Sequence, residues 1–181
     1  MNLKQLAKCI GQTIDIDTEI KGFALNDQLI KPGYVFVATK GSKLDGHDFA
    51  KSAEAKGAIA VIAEKPIAGL AIPVFMTQDY LADLTKIAKQ HRQTLDIKII
   101  ALTGSNGKTT VKDMLAEIMP ESCYVSHGNF NNHLGVPINL MSVTTNHDIA
   151  VFELGANAKG DIAHTASLLS PDICLINNIG P

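Results

Sequence analysis

An α/β fold is the class this sequence predicts, on three observations. Short apolar runs alternate with helical patterns along the whole chain. The runs are continuous and rich in Ile and Val, as strands covered on both faces of a parallel sheet are. And one strand-to-helix junction, IIALTGSNGKTT at 99–110, carries a glycine loop ending in Gly-Lys-Thr.

The elements follow in order. MNLKQLAKCIGQ reads as an amphipathic helix through Leu3, Leu6, Ala7 and Ile10, not as a signal peptide. YVFVAT and AIAVIA read as strands, with HDFAKSAEAKG between them as a helix. IPVFMT is a further strand, and QDYLADLTKIAKQHRQ follows with apolar residues at 81, 84, 87 and 88, a helical spacing. Pro32-Gly33 and Lys65-Pro66 mark turns. A second series then begins at DIKIIALT, with strands IKIIAL, CYVS, DIAVFEL and DICLIN and helices starting near Gly107, Val136 and Gly160. The boundary between the series is expected at QTLD, giving domains 1–94 and 95–181. Four strands in the second are few for a doubly wound nucleotide domain. The chain stops at NNIGP just past a strand, where an open α/β sheet carries its functional loops, so the sequence reads as a fragment.

Composition narrows the function classes. The 181 residues are 46% hydrophobic and 19% charged, enough apolar material for a sizeable core. Net charge is −2, with 12 basic and 10 acidic residues up to residue 94 and 4 and 8 after it. No basic stripe points to nucleic acid. Cys9, Cys123 and Cys174 are odd in number and far apart, which suits reduced thiols and a cytoplasmic location better than a disulfide frame or a zinc site. No apolar run approaches the roughly 18 residues of a membrane span.

The loop carries the chemistry. Gly104 and Gly107 stand between a buried strand and the helix GKTTVKDMLAEIM, whose apolar stripe is Val111, Met114, Leu115, Ile118 and Met119. Glycines there let the backbone curl so that N–H groups converge on a phosphate, and the helix start adds unpaired donors and a positive dipole end. Thr103, Gly104, Ser105, Asn106, Gly107, Lys108, Thr109 and Thr110 form the candidate cradle. Lys108 would reach the β- and γ-phosphates, and Thr109 would put its hydroxyl on Mg²⁺. A phosphate loop of the usual spacing has a further glycine at the position of Leu102. Glu153, at the C-terminal end of the apolar run in DIAVFELG, is the acid expected to complete a Mg²⁺ site; capping the next helix is its structural alternative. GNFNNHLGVP supplies Asn129, Asn131 and Asn132, short amides suited either to turns or to phosphate and substrate.

TGSNGKTT, GNFNNHLGVP and ELGANAKGDI together resemble the Mur ligase family, the ATP-dependent amide-forming enzymes of peptidoglycan synthesis, whose shortened loop lacks the upstream glycine. The last two segments look most like the member that joins D-alanyl-D-alanine to UDP-N-acetylmuramoyl-tripeptide. KPGYVFVATKGSKLDGHDFAKSAEAKGAIAVIAEK resembles that member's uridine-nucleotide-binding domain. The resemblance covers nearly the whole chain. It implies a small α/β N-terminal domain for the UDP substrate, followed by a truncated P-loop-type parallel-sheet ATPase domain, with ATP and Mg²⁺ as cofactors. It implies that ATP phosphorylates the peptide carboxylate and that the dipeptide amine attacks the acyl phosphate. Lys108 and Glu153 would act catalytically, and Asn26, Asp27, Gly41, His47, Asn131 and Asn132 would contact substrate. His47 is the residue expected near the nucleotide sugar, with a ligand-free role at a helix start as its alternative. The family usually shows an acid, a Ser or Thr, and an Arg before the Pro-Gly turn, where this chain has Asn26, Asp27 and Gln28. Family members also continue well past residue 181, so the 181 residues alone are expected not to ligate, the intact protein to be a monomer, and the exposed last strand to invite self-association. A ligase adding the third amino acid, or a non-catalytic UDP-sugar module, are the alternatives.

Overall fold

The computed structural model describes residues 1–41, 44–128 and 130–180. The chain divides into two compact units, Met1–Ile87 and Ala88–Pro181, each with a four-stranded parallel sheet.

In the first unit, α1 (Leu3–Cys9) begins at Asn2, whose side-chain oxygen accepts from Gln5 N while the Gln5 side chain accepts from Asn2 N. This reciprocal cap satisfies two otherwise orphaned donors and lets so short a helix start cleanly. It buries Leu3, Leu6 and Ala7; Ile10 falls at its C-terminal cap and is only half-buried. Strands β1 (Gly22–Ala24), β2 (Tyr34–Ala38), β3 (Ala60–Ala63) and β4 (Val74–Met76) lie in chain order, all parallel. β1 has three residues, too few to register as a pattern. The helix expected over 47–57 is split into a 3₁₀ turn, Gly46–Phe49, and α2 (Ala50–Ala55). Ala50 and Ala53 of α2 pack with Ile30, Phe36, Ala38, Val61 and Ala63 on one face of the sheet. Strand alternation sends Val35, Val37, Ala60 and Ile62, all fully buried, to the other. Burial on both faces is why these strands read as continuous apolar runs. α3 (Tyr80–Gln93) follows β4, and its residues from Ala88 onward belong to the second unit.

The second unit contains β5 (Lys98–Thr103), α4 (Lys108–Ile118), β6 (Cys123–Val125), α5 (Gly135–Met141), β7 (Ile149–Glu153), α6 (Asp161–Leu169) and β8 (Ile173–Ile176). The sheet order is β6-β7-β5-β8, all parallel. Register pairs Leu102 with Glu153 and Thr103 with Ile176, so the C-terminal ends of β5, β7 and β8 meet at one edge, where open α/β sheets bind ligands. The stripe expected to seat α4 does not seat it. Met114 and Ile118 are 63% and 77% exposed, and the one buried residue of the helix is Lys112. Periodicity located the helix but not the face that meets the sheet. Among the described residues no helix is long and apolar enough to cross a membrane.

Candidate functional site

β5 ends at Thr103 and α4 starts at Lys108, so the chain reverses within four residues. Gly107, immediately before the helix, has φ +75°, in the left-handed region that side chains disfavour. A Cβ there would also fall 2.7 Å from Asn177 Nδ2. The first-turn amides of Lys108, Thr109 and Thr110 have no intrahelical acceptor and point out at the positive end of the helix. Lys108 folds back so that Nζ donates to Gly104 O at 2.6 Å, which sets the ammonium over the loop.

Two loop amides are not open. Ser105 N donates to Asn178 O at 3.1 Å, and Asn106 N to Asn178 Oδ1 at 2.9 Å. Asn177 Nδ2 donates to Asn106 O at 2.9 Å, and Ser105 Oγ exchanges hydrogen bonds with the backbone of Gly180. The segment after β8 thus lies along the loop. Of the loop's expected phosphate donors, the amides of Ser105 and Asn106 are thus taken up by Asn178, while those of the helix start have no intrahelical acceptor. Nothing in the sequence spacing announced Asn177 or Asn178 as partners.

Glu153 completes the site from the adjacent strand. It is 2% exposed. Its Oε2 accepts from Thr109 Oγ1 at 2.8 Å and its Oε1 from Asn131 Nδ2 at 2.7 Å, while its own N donates to Ser126 Oγ. Thr103 Oγ1 donates to Leu154 O and fastens the two strand ends together. Thr109 and Glu153, singled out by motif and by strand position, are in contact. Asn131 lies on Glu153, and Asn132 Oδ1 accepts from Leu134 N and Gly135 N, forming the turn that leads into α5. Asn129 lies outside the described residues. Asn139 and Lys112 were missed by sequence reasoning, and both hold this loop. Lys112 Nζ donates to Gly128 O, and the buried Asn139 amide bonds to Tyr124, His127, Phe130 and Gly135.

The candidate residues of the first unit are engaged locally. Asn26 Oδ1 accepts from Gln28 N and caps a 3₁₀ turn. Asp27 Oδ2 accepts from Lys56 Nζ and Ser52 Oγ, both at 2.6 Å; Lys56 first and then Ser52 hold its carboxyl below the usual range. That is why an acid is tolerated at this position. His47 is buried, with Nδ1 against Asp45 Oδ1 at 2.6 Å and Nε2 accepting from Glu64 N at 3.2 Å. The second bond fixes the tautomer with its proton on Nδ1. Lys65 takes the other Asp45 oxygen, and it leads His47 in holding that carboxyl well below the usual range. Both His47 ring nitrogens are therefore committed, which favours the helix-start role over sugar contact. Gly41 N donates to Leu44 O.

Among the described residues no three His, Cys, Asp or Glu side chains gather as a metal cage. The pair available is a hydroxyl and a carboxylate, Thr109 and Glu153. Hard oxygen donors of this number fit Mg²⁺, which keeps several waters and draws further ligands from phosphate oxygens.

Residues 19–95 match the model described as Mur ligase family, catalytic domain, and residues 102–181 match the Mur ligase middle domain. The chain belongs to the Mur ligase family. The middle-domain match begins at Leu102, so it contains the glycine loop, Glu153 and the asparagine loop entire. The UDP-N-acetylmuramoyl-tripeptide–D-alanyl-D-alanine ligase of Escherichia coli K12 is 37% identical over 182 residues, covering 99% of this chain and 40% of that protein. A crystal structure of MurF from Acinetobacter baumannii superposes with TM-score 0.81 at 34% identity, covering 99% of this chain and 41% of that one. The MurF ligase from Thermotoga maritima in complex with ADP gives 0.71 at 33%, covering 90% and 38%. The chain spans about two fifths of the length of the curated relatives it matches.

Proposed function

We propose that this chain forms the UDP-substrate-binding domain (1–94) and part of the ATP-binding domain (95–181) of a cytoplasmic ligase that joins D-alanyl-D-alanine to UDP-N-acetylmuramoyl-tripeptide. The contact between Thr109 and Glu153 beside a helix-start loop carries the reading, together with the similarity to ligases of that activity and to one holding ADP.

The chemistry needs what this site offers. A carboxylate is a poor electrophile; transfer of the γ-phosphoryl group of ATP to its oxygen, with ADP leaving, makes an acyl phosphate. The dipeptide amine then attacks the acyl carbon and inorganic phosphate departs. The first transfer brings two anions together. Lys108 and the open amides of Lys108, Thr109 and Thr110 are positioned to offset that repulsion. Thr109 and Glu153 would hold Mg²⁺, which supplies charge neutralisation at the phosphate oxygens when bound. The amides of Ser105 and Asn106 are already satisfied, so they keep the loop in shape instead of contacting phosphate. The 181 residues alone are proposed to bind without ligating, since they match only part of the relatives' length.

Calorimetric titration with MgATP and, separately, with UDP-N-acetylmuramoyl-tripeptide tests this. Both should bind, and Lys108→Ala should weaken ATP about 10-fold or more while leaving the uridine compound unaffected. Binding of the uridine compound with no ATP contact would favour a non-catalytic module. Product amide formed by the chain alone would refute the division of labour.

A further inference from the structure

Glu153 raises a question that its position alone does not answer. A carboxylate has two chemically equal oxygens, and its terminal torsion is broad and roughly two-fold. Thr109 bonds one of them; something must keep the other from turning toward the loop. We propose that Asn131 is the positioning residue of this site, holding Oε1 of Glu153 so that Oε2 is presented at Thr109. The proposal rests on the reading of Thr109 and Glu153 as a Mg²⁺–nucleotide site.

Asn131 is itself immobilised. Its backbone carbonyl accepts from Gly155 N at 2.8 Å, two residues beyond Glu153. A Cβ on Gly155 would fall 2.6 Å from Asn131 Oδ1 and 2.7 Å from its Cγ, so the amide lies flat against backbone that only glycine leaves clear. The chain leaving β7 and the asparagine loop are thus locked to each other at the point where Asn131 meets Glu153.

The loop is also pinned at both ends, by one buried side chain. Asn139 of α5 accepts on Oδ1 from Tyr124 OH at 2.8 Å and from His127 N at 2.9 Å. Its Nδ2 donates to Phe130 O and Gly135 O, each at 3.1 Å. That uses both lone pairs of the amide oxygen and both of its N–H groups. Gly135 meets Phe130 so closely that a Cβ would lie 2.5 Å from its backbone, and Lys112 ties down Gly128. Phe130 and Asn132, on either side of Asn131, are thus both held by hydrogen bonds to α5 or its start.

The choice of an amide has a chemical consequence. A lysine or arginine in this place would orient Glu153 equally well but would neutralise it. A neutral N–H donor orients the carboxylate and leaves its full negative charge for a cation. Donors to a ligand's second oxygen typically change metal affinity about 10- to 100-fold when removed.

The test separates orientation of Glu153 from direct phosphate contact and from folding. ATP is titrated into the chain calorimetrically, once with excess Mg²⁺ and once with EDTA, and the ratio of the two affinities is compared between wild type, Asn131→Ala and Asn131→Ser. Serine keeps the loop polar but is too short to reach Oε1, so it serves should the alanine variant not fold. The expected result is a ratio reduced about 10-fold or more in both variants, with the EDTA affinity within about twofold of wild type. A ratio unchanged in a folded variant overturns the proposal. So does an equal loss with and without metal, which would make Asn131 a phosphate contact. Failure of the wild type to bind ATP at all sinks the parent reading, and this one with it.

Discussion

Asn139 shows how much of the site rests on one buried residue of α5. Its amide is 4% exposed and serves two acceptors and two donors spread over the stretch from Tyr124 to Gly135. Truncation leaves several backbone groups short of a partner, each costing about 1–3 kcal/mol where water cannot replace it. Asn139→Ala should therefore lower stability by about 2–4 kcal/mol, read as a reduced urea midpoint at unchanged slope; a loss under about 0.5 kcal/mol would show that the loop does not depend on it. The residues that could be chosen from sequence obey positional rules: lysine and threonine after the glycine, an acid at the end of an apolar strand. Asn139, Lys112 and Asn178 obey none, because, apart from Gly135 within α5, their side-chain hydrogen-bond partners lie 9 to 72 residues away on other segments. Asp27 and His47 show the same limit of sequence reading. Their chemistry suggested a ligand, while Ser52, Lys56 and Glu64, distant in sequence, take up the very atoms in question.

At the scale of elements, the strands were legible because burial on both faces leaves an unbroken apolar run, and α4 because its stripe has helical spacing. What periodicity cannot express is which apolar surface finds a partner. β8 ends its sheet beyond β5, and Ile173, Leu175 and Ile176 are 56%, 40% and 60% exposed. Among the described residues no strand pairs with its outer edge, the template on which a second strand adds. We therefore expect the 181-residue chain to associate with itself through β8. Light scattering should give a mean mass that rises with concentration, and Leu175→Lys together with Ile176→Lys should suppress the rise by setting like charges along the edge. A mass that stays at the monomer value over a hundredfold range of concentration would contradict this.

The molecule as a whole should lose stability to acid in two stages, and the chemistry of particular groups sets their order. Asp27 and Asp45 in the first unit, and Asp161 and Asp172 in the second, are all held below the ordinary carboxylate range. Lys56, Lys65, the backbone N–H of Asn157 and Lys98 are the respective leading causes. A depressed carboxyl contributes stability above its unfolded value of about 3.9 and gives it up as pH falls through the folded value, so this stage belongs below about pH 4. His91 acts earlier. It is 8% exposed, its Nε2 donates to Val143 O at 2.7 Å, and burial pushes its pKa down from 6.5. Below about pH 6.5 the unfolded chain takes up a proton at this histidine that the folded chain refuses, so stability falls with falling pH until the folded value is reached. One such group can contribute a slope of at most about 1.4 kcal/mol per pH unit. Thermal melts between pH 7.5 and 5 should show the melting temperature dropping in the wild type. His91→Gln removes the titration but retains an amide that can donate to Val143 O, so its melting temperature should fall less over the same interval. Since the other five histidines are common to both proteins, it is the difference between the two profiles that reports on His91. Parallel profiles would mean that His91 takes up its proton as readily in the folded as in the unfolded chain, so that its burial against Val143 costs the proton nothing.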